Sequence, residues 1–324
     1  MLTRRDCLAA LCSIGSVLAP RGALADDYPR RPIRVIVPYA VGGATDTLAR
    51  LLGMRIEQEL KQSFVIDNRG GGASQIGTQA IAAATADGYT IGMIDSAFTI
   101  NPALFAGKLP YDTLKDFAPI SLVATAPLVL VVHASVPAES AQALVALARQ
   151  KPGRITFALP GLGTPVHLAG EQLRQVAGIE VIYVPYRGAG PSIADLIAGQ
   201  VQMTFATVPS ILEHVRGGRA RALGVIGARS PLMPDVPSLD EVSLGGIDAA
   251  LMFGLVAPAV TPAAIVERLS EAAAVSVTTD PLRARLVDLG YVAVGGNPRD
   301  FRSRIDADIT KWTRIIEAGN IQPN

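Results

Sequence analysis

The stretch VIVPYAVGGATD, Val35 to Asp46, begins as an apolar strand, stops at a proline, passes two glycines and enters a helix. A Gly-Gly turn lets backbone N–H groups approach a ligand closely through backbone angles that other residues avoid. The first turn of the following helix adds unpaired donors and a partial positive charge. The corner therefore suits an anion, and it either binds a ligand, holds a cofactor for chemistry or only turns the chain.

The same unit of apolar strand, Gly/Ser/Thr-rich turn and amphipathic helix recurs along the chain. The predicted strands of these units are Ile33 to Tyr39, Phe64 to Asp67, Tyr89 to Ile94, Ile155 to Leu159, Val181 to Tyr186 and Met203 to Ala206. This pattern predicts an α/β fold with parallel sheets covered by helices on both faces. Ligands of such sheets lie beyond the carboxyl ends of the strands, where these turns are.

Two segments predict that the chain crosses between two lobes. The run SLVATAPLVLVVHASVP, Ser121 to Pro137, is longer than the ~5–6 residues of a mean strand. A second crossing is predicted within residues 237–258, after which helices dominate. A cleft between the lobes is the natural ligand site. We predict a first lobe from residues 26–125, a second lobe from 126–249 and a return to the first lobe over 250–324.

The last helix is the best marked of the predicted helices. Asn297 is expected to cap it, Pro298 occupies the first helical position and Gly319 ends it. Its apolar positions, which include Phe301 and Trp312, share one face. We therefore predict a helix that packs this face onto the first lobe.

The N-terminus is typical of an export signal. Residues 1–25 combine Arg4 and Arg5 with an apolar stretch and a small-residue cleavage pattern that ends near Ala25. The paired arginines leave the general secretory and twin-arginine routes both open. Both cysteines of the chain lie in this segment, so the mature chain is predicted to form no disulfide and no thiolate metal site. We predict that the mature protein is periplasmic.

Charge and motif content exclude several classes of function. The formal net charge is +1 and no block of like charge is present, so no nucleic-acid partner is indicated. No turn matches G-x-G-x-x-G, a P-loop or the G-x-S-x-G nucleophile elbow. The histidines, His133, His167 and His214, lack metal-ligand spacing. We predict no catalysis, no cofactor and no metal.

Four polar residues near the turns have both a structural and a ligand-binding interpretation. His167 either bonds a backbone carbonyl in the first turn of a helix or forms a polar wall of the ligand site. Asp46 either stabilises free N–H groups at a helix start or faces the ligand. Arg69 and Arg187 directly follow strands, so they either clamp a carboxylate or lie on the surface and pair with the opposite lobe or with water.

Several long motifs occur in order along nearly the whole mature chain. They include YPRRPIRVIVPYAVGGATD, DNRGGGASQIGTQAIAAATADGYT, VPYRGAGPSIADLIAGQVQMTF and DPLRARLVDLGYVAVGGNPRDF. Together they resemble the Bug receptors, the extracytoplasmic solute receptors of tripartite tricarboxylate transporters. The resemblance implies a type II periplasmic-binding-protein fold whose two lobes close on a small organic acid. It also implies delivery of that ligand to membrane transporter subunits, and we expect a monomer.

The resemblance also implies where the ligand binds. In that family the carboxylate is held by backbone amides and ordered water at loop ends, with little use of a salt-bridging arginine. The implied first-lobe binding residues are Tyr39, Ala40, Val41, Gly42, Gly43, Ser74, Ser96 and Ala97. The implied second-lobe binding residues are Gly163, Thr164, His167, Tyr186 and Thr207. Two alternatives stay open at this point: a periplasmic ligand sensor for a signalling partner, and a hydrolase.

Asp95 departs from the small uncharged residues that the resembling family commonly has at this loop. At 4 Å it would repel a second anion by roughly 4 kcal/mol at an effective dielectric of 20, which disfavours a citrate-like ligand. This interpretation favours an amino acid, or a neutral or cationic molecule with one carboxylate or amide. Alternatively, Asp95 caps the next helical turn or faces solvent.

Overall fold

The structure is a computed structural model, which describes residues 28–39, 41–186 and 188–322. The predicted export signal, residues 1–25, lies outside the described residues. So do the predicted binding residue Ala40 and the arginine at position 187. Within the described ranges, no helix is both long enough and apolar enough to cross a bilayer.

The strands form two sheets, and each sheet is the centre of one lobe. In chain order the strands are β1 (Ile33–Val37), β2 (Phe64–Asn68), β3 (Thr90–Asp95), β4 (Phe117–Ala126), β5 (Leu128–His133), β6 (Ile155–Leu159), β7 (Val181–Pro185), β8 (Met203–Thr207), β9 (Ala220–Val225), β10 (Leu251–Pro258) and β11 (Val292–Ala293). The first sheet has the order β11-β4-β10-β3-β1-β2, and the second has the order β7-β6-β8-β5-β9. The six predicted strands are confirmed to within two residues at each end.

Both sheets are mixed, so the expectation of parallel sheets is wrong in this respect. Strand β1 is parallel to β2 and β3, but β10 is antiparallel to β3 and β4. In the second sheet β6 is parallel to β7 and β8, whereas β5 is antiparallel to β8 and β9. Strands β5 and β10 each follow a passage between the sheets. A strand that arrives from the other lobe has no preceding helix in its own sheet to make it parallel to its neighbours.

Helices cover the sheets and bury their apolar faces against them. In chain order the helices are α1 (Ala44–Leu60), α2 (Gln75–Ala82), α3 (Ala97–Leu104), α4 (Ala141–Gln150), α5 (Pro165–Ala177), α6 (Ala189–Ile197), α7 (Val208–Arg216), α8 (Ala263–Thr278), α9 (Leu282–Asp288) and α10 (Pro298–Ala318). Leu48 and Leu52 of α1 pack with Val35 of β1 in the first-lobe core. Leu168 of α5 packs with Phe157 of β6 in the second-lobe core. In both lobes helix starts therefore lie next to strand ends.

Helix α10 begins and ends as the sequence predicts. The Asn297 side chain accepts a hydrogen bond from the Asp300 N–H at 2.9 Å, and Gly319 follows the last turn. Phe301 packs in a first-lobe cluster that includes residues of β1 and β3, whereas Trp312 lies in the second-lobe core. The helix therefore packs against both lobes instead of the first lobe alone.

Candidate functional site

A cavity of about 320 Å³ lies between the two lobes, at the strand ends described above. We call it the interlobe cavity. Its first-lobe lining includes Tyr39, Ala73, Asp95, Ala97, Asn101 and Leu104. Its second-lobe lining includes Leu162, Gly163, Thr164, Ser192, Ile193 and Phe205, and it extends to Thr207 and Ser210. The volume is near the lower end of the ~300–1,000 Å³ that small-molecule sites usually have, so the ligand that fits is small.

The first-lobe wall is organised around the Asp95 carboxylate. Its Oδ1 accepts hydrogen bonds from the Tyr39 hydroxyl at 2.6 Å and from the Ala97 N–H at 2.9 Å. The Ala97 bond caps the start of α3, and the same side chain lines the interlobe cavity. Both interpretations of Asp95 in the sequence thus describe parts of its position. Burial raises the pKa of this carboxyl, although the donors around it act in the opposite direction.

Tyr39 shares this burial. Removal from water raises the pKa of its phenol well above the usual value, and the neighbouring Asp95 charge raises it further. The phenol therefore stays protonated and acts as a hydrogen-bond donor to Asp95. The predicted binding residues Tyr39 and Ala97 both lie on the cavity wall.

Two further predicted binding residues, Ser74 and Ser96, are buried behind this wall. The Asn101 side-chain amide donates to the Ala73 carbonyl at 2.8 Å and to the Ser74 hydroxyl at 3.3 Å, which links α3 to the start of α2. The Ser96 hydroxyl accepts from the Met252 N–H at 2.9 Å. These bonds position the first-lobe loops against β10, the strand that returns from the second lobe.

The second-lobe wall meets the first lobe at Gly163. This residue has φ +69°, and a Cβ atom built on it would lie 2.2 Å from Cδ2 of Leu104 in α3. Glycine therefore suits both the left-handed backbone and the close contact between the lobes, and any larger residue would strain the first and displace the Leu104 side chain at the second. Gly163 and Thr164, both predicted binding residues, line the interlobe cavity.

His167 lies behind Gly163 and holds it in place. The Gly163 N–H donates to Nδ1 of His167 at 3.0 Å, and the imidazole packs edge-on against Tyr183. Burial lowers the pKa of His167, and the nearby Glu171 carboxylate offsets this only in part. The structural interpretation expected His167 to bond a backbone carbonyl. Its side chain instead accepts a hydrogen bond from a backbone N–H. Accepting at Nδ1 requires the neutral imidazole.

The hydroxyl groups of the second-lobe wall point to protein acceptors. Thr164 and Ser192 each donate to the carbonyl oxygen three residues earlier, at 2.8 Å. Thr207, the remaining predicted binding residue on this wall, donates to the Ser210 hydroxyl at 2.9 Å. Ser210 in turn donates to the Thr207 carbonyl at 2.7 Å. Each of these hydroxyls has used its one proton, so what it offers a ligand is an acceptor oxygen.

The glycine corner after β1, formed by Gly42 and Gly43, borders a smaller space. Gly42 has φ +90°, whereas Gly43 is extended with φ −74° and is exposed, as Val41 is. Gly42 lines a second cavity of about 310 Å³. This cavity shares Thr207 and Ser210 with the interlobe cavity. The corner therefore lies beside the interlobe cavity and reaches it through these two residues.

Asp46 holds this corner from behind. Its Oδ2 accepts from the Gly42 N–H at 2.8 Å, and its carboxylate also contacts Arg50 and Asn68. Burial alone would raise the pKa of Asp46, but these donors lower it below the usual 3.8. The geometry thus matches the structural interpretation in part: the acid satisfies a backbone N–H, but that N–H belongs to Gly42, two residues before α1 begins.

Two other candidates are engaged within their own lobes. The Tyr186 hydroxyl donates to the Asp195 carboxylate at 2.8 Å. Arg69 pairs with Asp67 at 2.9 Å. Nor do the described ranges contain three His, Cys, Asp or Glu side chains grouped as a metal site requires.

The apolar part of the cavity wall was not predicted from the sequence. Leu162, Ile193 and Phe205 are ordinary core-type residues in the sequence, and only the approach of the lobes brings them to the cavity. Ser192 and Ser210 had a usable signal, because both stand in turns that directly follow predicted strands.

Comparisons with known proteins agree with this architecture. The sequence profile of the tripartite tricarboxylate transporter family receptor matches residues 48–321. The protein BugT of Bordetella pertussis is 34% identical over 312 residues, 94% of this chain and 96% of BugT. Among solved structures, R. palustris Rpa4515 with adipate is 33% identical, has a TM-score of 0.82 and aligns over 92% of this chain and 100% of that chain.

MatC from Rhodopseudomonas palustris with bound malate is 28% identical, has a TM-score of 0.76 and aligns over 89% of this chain and 100% of MatC. The expected two-lobed α/β fold and the resemblance to the Bug receptors are both confirmed. The protein is a solute-binding receptor, and the chain belongs to the tripartite tricarboxylate transporter receptor family.

Proposed function

We propose that this receptor captures a small organic molecule with one carboxylate or amide group in the interlobe cavity and delivers it to membrane subunits of a tripartite transporter. The observation that carries the proposal is the cavity itself, which has one wall from each lobe. A ligand that touches both walls stabilises the closed arrangement, because its contacts exist together only when the lobes meet. Its relatives with adipate and malate support an organic acid as the starting class.

The proposed contact residues are the predicted residues that line the interlobe cavity: Tyr39, Ala97, Gly163, Thr164 and Thr207. Ser74, Ser96 and His167 are proposed to act by positioning the loops that carry these contacts. The loop from Val41 to Gly43 and the Tyr186 side chain are proposed to border the entrance. The remaining candidate, the alanine at position 40, belongs to the same entrance loop by sequence.

The cellular setting is part of the same proposal. A cleaved signal over residues 1–25 would release the mature chain into the periplasm as a monomer, where it binds and transfers its ligand without catalysis. We propose residues 126 and 250 as the lobe boundaries, since β4 and β5 belong to different sheets and β10 belongs to the first.

The proposal is tested by asking whether a cavity-filling substitution expels the ligand. The mature protein is purified, denatured and extracted, and the extract is analysed by mass spectrometry for a copurified small molecule. Ala189 is the exposed first residue of α6 and lines the interlobe cavity. We expect Ala189→Trp to abolish copurification and to weaken binding of the identified molecule at least ~10-fold in titration calorimetry, since a steric block loses at least one contact of about 1.4 kcal/mol.

The matched control is Ala263→Trp, which makes the same change at the exposed first residue of α8, away from the cavity. It should bind as the wild type does. Equal binding by both variants would contradict the interlobe cavity as the ligand site.

A further inference from the structure

We propose that the ligand presents an N–H donor, an ammonium or primary amide group, to Asp95 and rests an apolar body on the second-lobe wall. This inference rests on the proposed function, in which the interlobe cavity holds the ligand. It goes further by stating which polar group the ligand carries and where that group lies. The first support for this inference is the set of hydrogen-bond donors and acceptors on the cavity wall that already have partners in the protein.

In the structure the hydroxyl groups on the wall donate to protein acceptors, so a ligand acceptor would have to displace one of these bonds. Tyr39 donates to Asp95, and Thr164 and Ser192 donate to backbone carbonyls. At the start of α7, the Thr207 hydroxyl donates to the Ser210 hydroxyl, and the Ser210 hydroxyl donates to the Thr207 backbone carbonyl. A hydroxyl has one proton and two lone pairs, so with these bonds in place the groups can still accept but not donate. A ligand that brings donors is satisfied by this wall, and a ligand that brings only acceptor oxygens must displace one of these bonds to find a donor.

Asn101 follows the same rule. Its side-chain nitrogen donates to the Ala73 carbonyl and to the Ser74 hydroxyl, which uses both protons of the amide. What remains on this side chain is the carbonyl oxygen, an acceptor. The polar side chains that line the described cavity thus all offer acceptor oxygens to a ligand.

Asp95 is the strongest acceptor of the set. Its Oδ1 is used by Tyr39 and Ala97, whereas the hydrogen bonding of Oδ2 within the described ranges consists of one long contact from Thr45 at 3.5 Å. Each of these partners donates to the carboxyl group, which offsets part of the rise in pKa that burial causes. The lining residues that the structure describes include no lysine, arginine or histidine. The negative charge on this wall is therefore available to a cationic or amide donor from the ligand.

The same charge selects against polyanions. A second carboxylate placed at Oδ2 would meet a like charge in a partly dehydrated cavity, where screening is weaker than in water. Burial already raises the pKa of Asp95, and another anion beside it adds to that penalty. A dicarboxylate or tricarboxylate would have to keep all its charged groups away from this wall.

The body of the ligand is apolar because the opposite wall is. Leu162, Ile193 and Phe205 face the cavity from the second lobe together with Leu128 of β5, and Leu104 of α3 adds an apolar side chain from the first lobe. A polar group placed against the leucine, isoleucine and phenylalanine side chains would lose hydration without compensation, whereas the hydroxyls of this wall accept only at its edges from groups that donate. A cavity of about 320 Å³ fits a ligand the size of leucine or a small aromatic amide.

Titration calorimetry with matched probes tests the inference. The probes share one apolar body: leucine carries an ammonium and a carboxylate, 4-methylpentanamide carries an amide, and 4-methylpentanoate carries a carboxylate alone. Citrate and adipate represent the polyanions. We expect leucine or 4-methylpentanamide to bind about 10- to 100-fold more tightly than 4-methylpentanoate, the range for one hydrogen bond to a charged group. Citrate and adipate should bind more weakly still.

The Asp95→Asn variant removes the charge and retains an oxygen for the Ala97 N–H and the Tyr39 hydroxyl. We expect the preference for the nitrogen-bearing probe to fall to within about 3-fold, since the charge-assisted part of the bond is lost. Asp306→Asn, at an exposed ion pair of α10, is the matched control and should keep the wild-type preference. Because burial raises the pKa of Asp95, the Asn variant should melt no lower than the wild type at pH 7, which separates lost affinity from misfolding.

Each outcome decides something. Tighter binding of citrate, adipate or 4-methylpentanoate, or an unchanged preference in Asp95→Asn, would overturn the inference while the proposed function stands. If no probe binds, the copurified molecule decides: a molecule with an ammonium or amide group supports the inference, and one without nitrogen overturns it. If no probe binds and nothing copurifies, the proposed function itself fails.

Discussion

The chain makes the same kind of corner twice, once in each lobe, and only one of the two lies on the interlobe cavity. After β1, Gly42 has a positive φ and its N–H is held by Asp46. After β6, Gly163 has a positive φ and its N–H is held by His167. In both corners a side chain four residues further on, in the first turn of the helix, accepts the glycine N–H.

The two corners differ in what stands opposite. The space around Gly42 is open within 4 Å of a built Cβ, whereas Gly163 touches Leu104 of the other lobe. The acceptors differ as well: Asp46 is a carboxylate stabilised in its charged form, and His167 is an imidazole stabilised in its neutral form. A glycine motif alone therefore does not identify a cavity wall, since the approach of the neighbouring lobe decides which of the two corners lines the interlobe cavity.

Gly163→Ala should have the largest effect. The new methyl group forces a left-handed alanine, at about 1–2 kcal/mol, and overpacks Leu104, at about 1–3 kcal/mol more. The free energy of unfolding should fall by the sum, and ligand affinity should fall with it because the lobes no longer meet closely. Chemical denaturation and titration calorimetry on the same preparation measure both quantities.

Gly218→Ala is the control for backbone strain. Gly218 has φ +67°, nearly the same as Gly163, but a Cβ there meets no atom within 4 Å. The free energy of unfolding of this variant should fall only by the ~1–2 kcal/mol that a left-handed alanine costs, and the variant should bind ligand as the wild type does. Equal losses in the two variants would show that the contact between Gly163 and Leu104 contributes nothing.

Lowering the pH should reduce the free energy of unfolding through His167, which holds the Gly163 corner after β6. Because burial lowers its folded-state pKa below 6.5, the unfolded chain takes up a proton before the folded chain does. The stability that neutral His167 contributes is complete above pH 6.5 and is lost as the pH falls through the lowered value. His167→Gln, which cannot titrate there, should lose less stability than the wild type between pH 7 and pH 5, as measured by denaturant unfolding at several pH values. Parallel pH curves for the two proteins would refute this role.

Gly43→Val should have the smallest effect, although Gly43 stands in the motif that first suggests a site. Its extended backbone, with φ −74°, accepts a β-branched residue, and its position is exposed. We expect a change in stability within about 0.5 kcal/mol, as for most surface substitutions. Affinity should change less than about 3-fold, well below a full hydrogen bond. A large loss of affinity with normal stability would move the ligand contact to the first corner.

Local patterns in the sequence were sufficient to predict the helices and strands. They were insufficient to predict which residues meet across the cleft between the lobes. The limits of α10 follow from Asn297 and Gly319 because capping depends on neighbours in the chain. The approach of Gly163 to Leu104 depends on how two separately folded sheets meet, and no local pattern encodes it. For the same reason the sequence placed α10 on one lobe, whereas Phe301 and Trp312 pack on different lobes.

Asp95 makes one contact that the sequence suggests and one that only the tertiary structure reveals. Its cap on the Ala97 N–H is local, so the sequence suggests it directly. Its place on the cavity wall depends on Tyr39, which lies 56 residues earlier in the chain. The sequence could therefore propose both roles without deciding between them, because the deciding contact is tertiary.

A crystal structure of the purified protein with its copurified or titrated ligand would show directly whether the interlobe cavity holds the ligand against Asp95. We expect electron density for one small molecule between Asp95 and Phe205, with a ligand nitrogen about 3 Å from Oδ2 of Asp95, the usual length of an N–H···O bond. Density for the ligand outside the interlobe cavity, or a ligand carboxylate facing Asp95, would contradict this expectation.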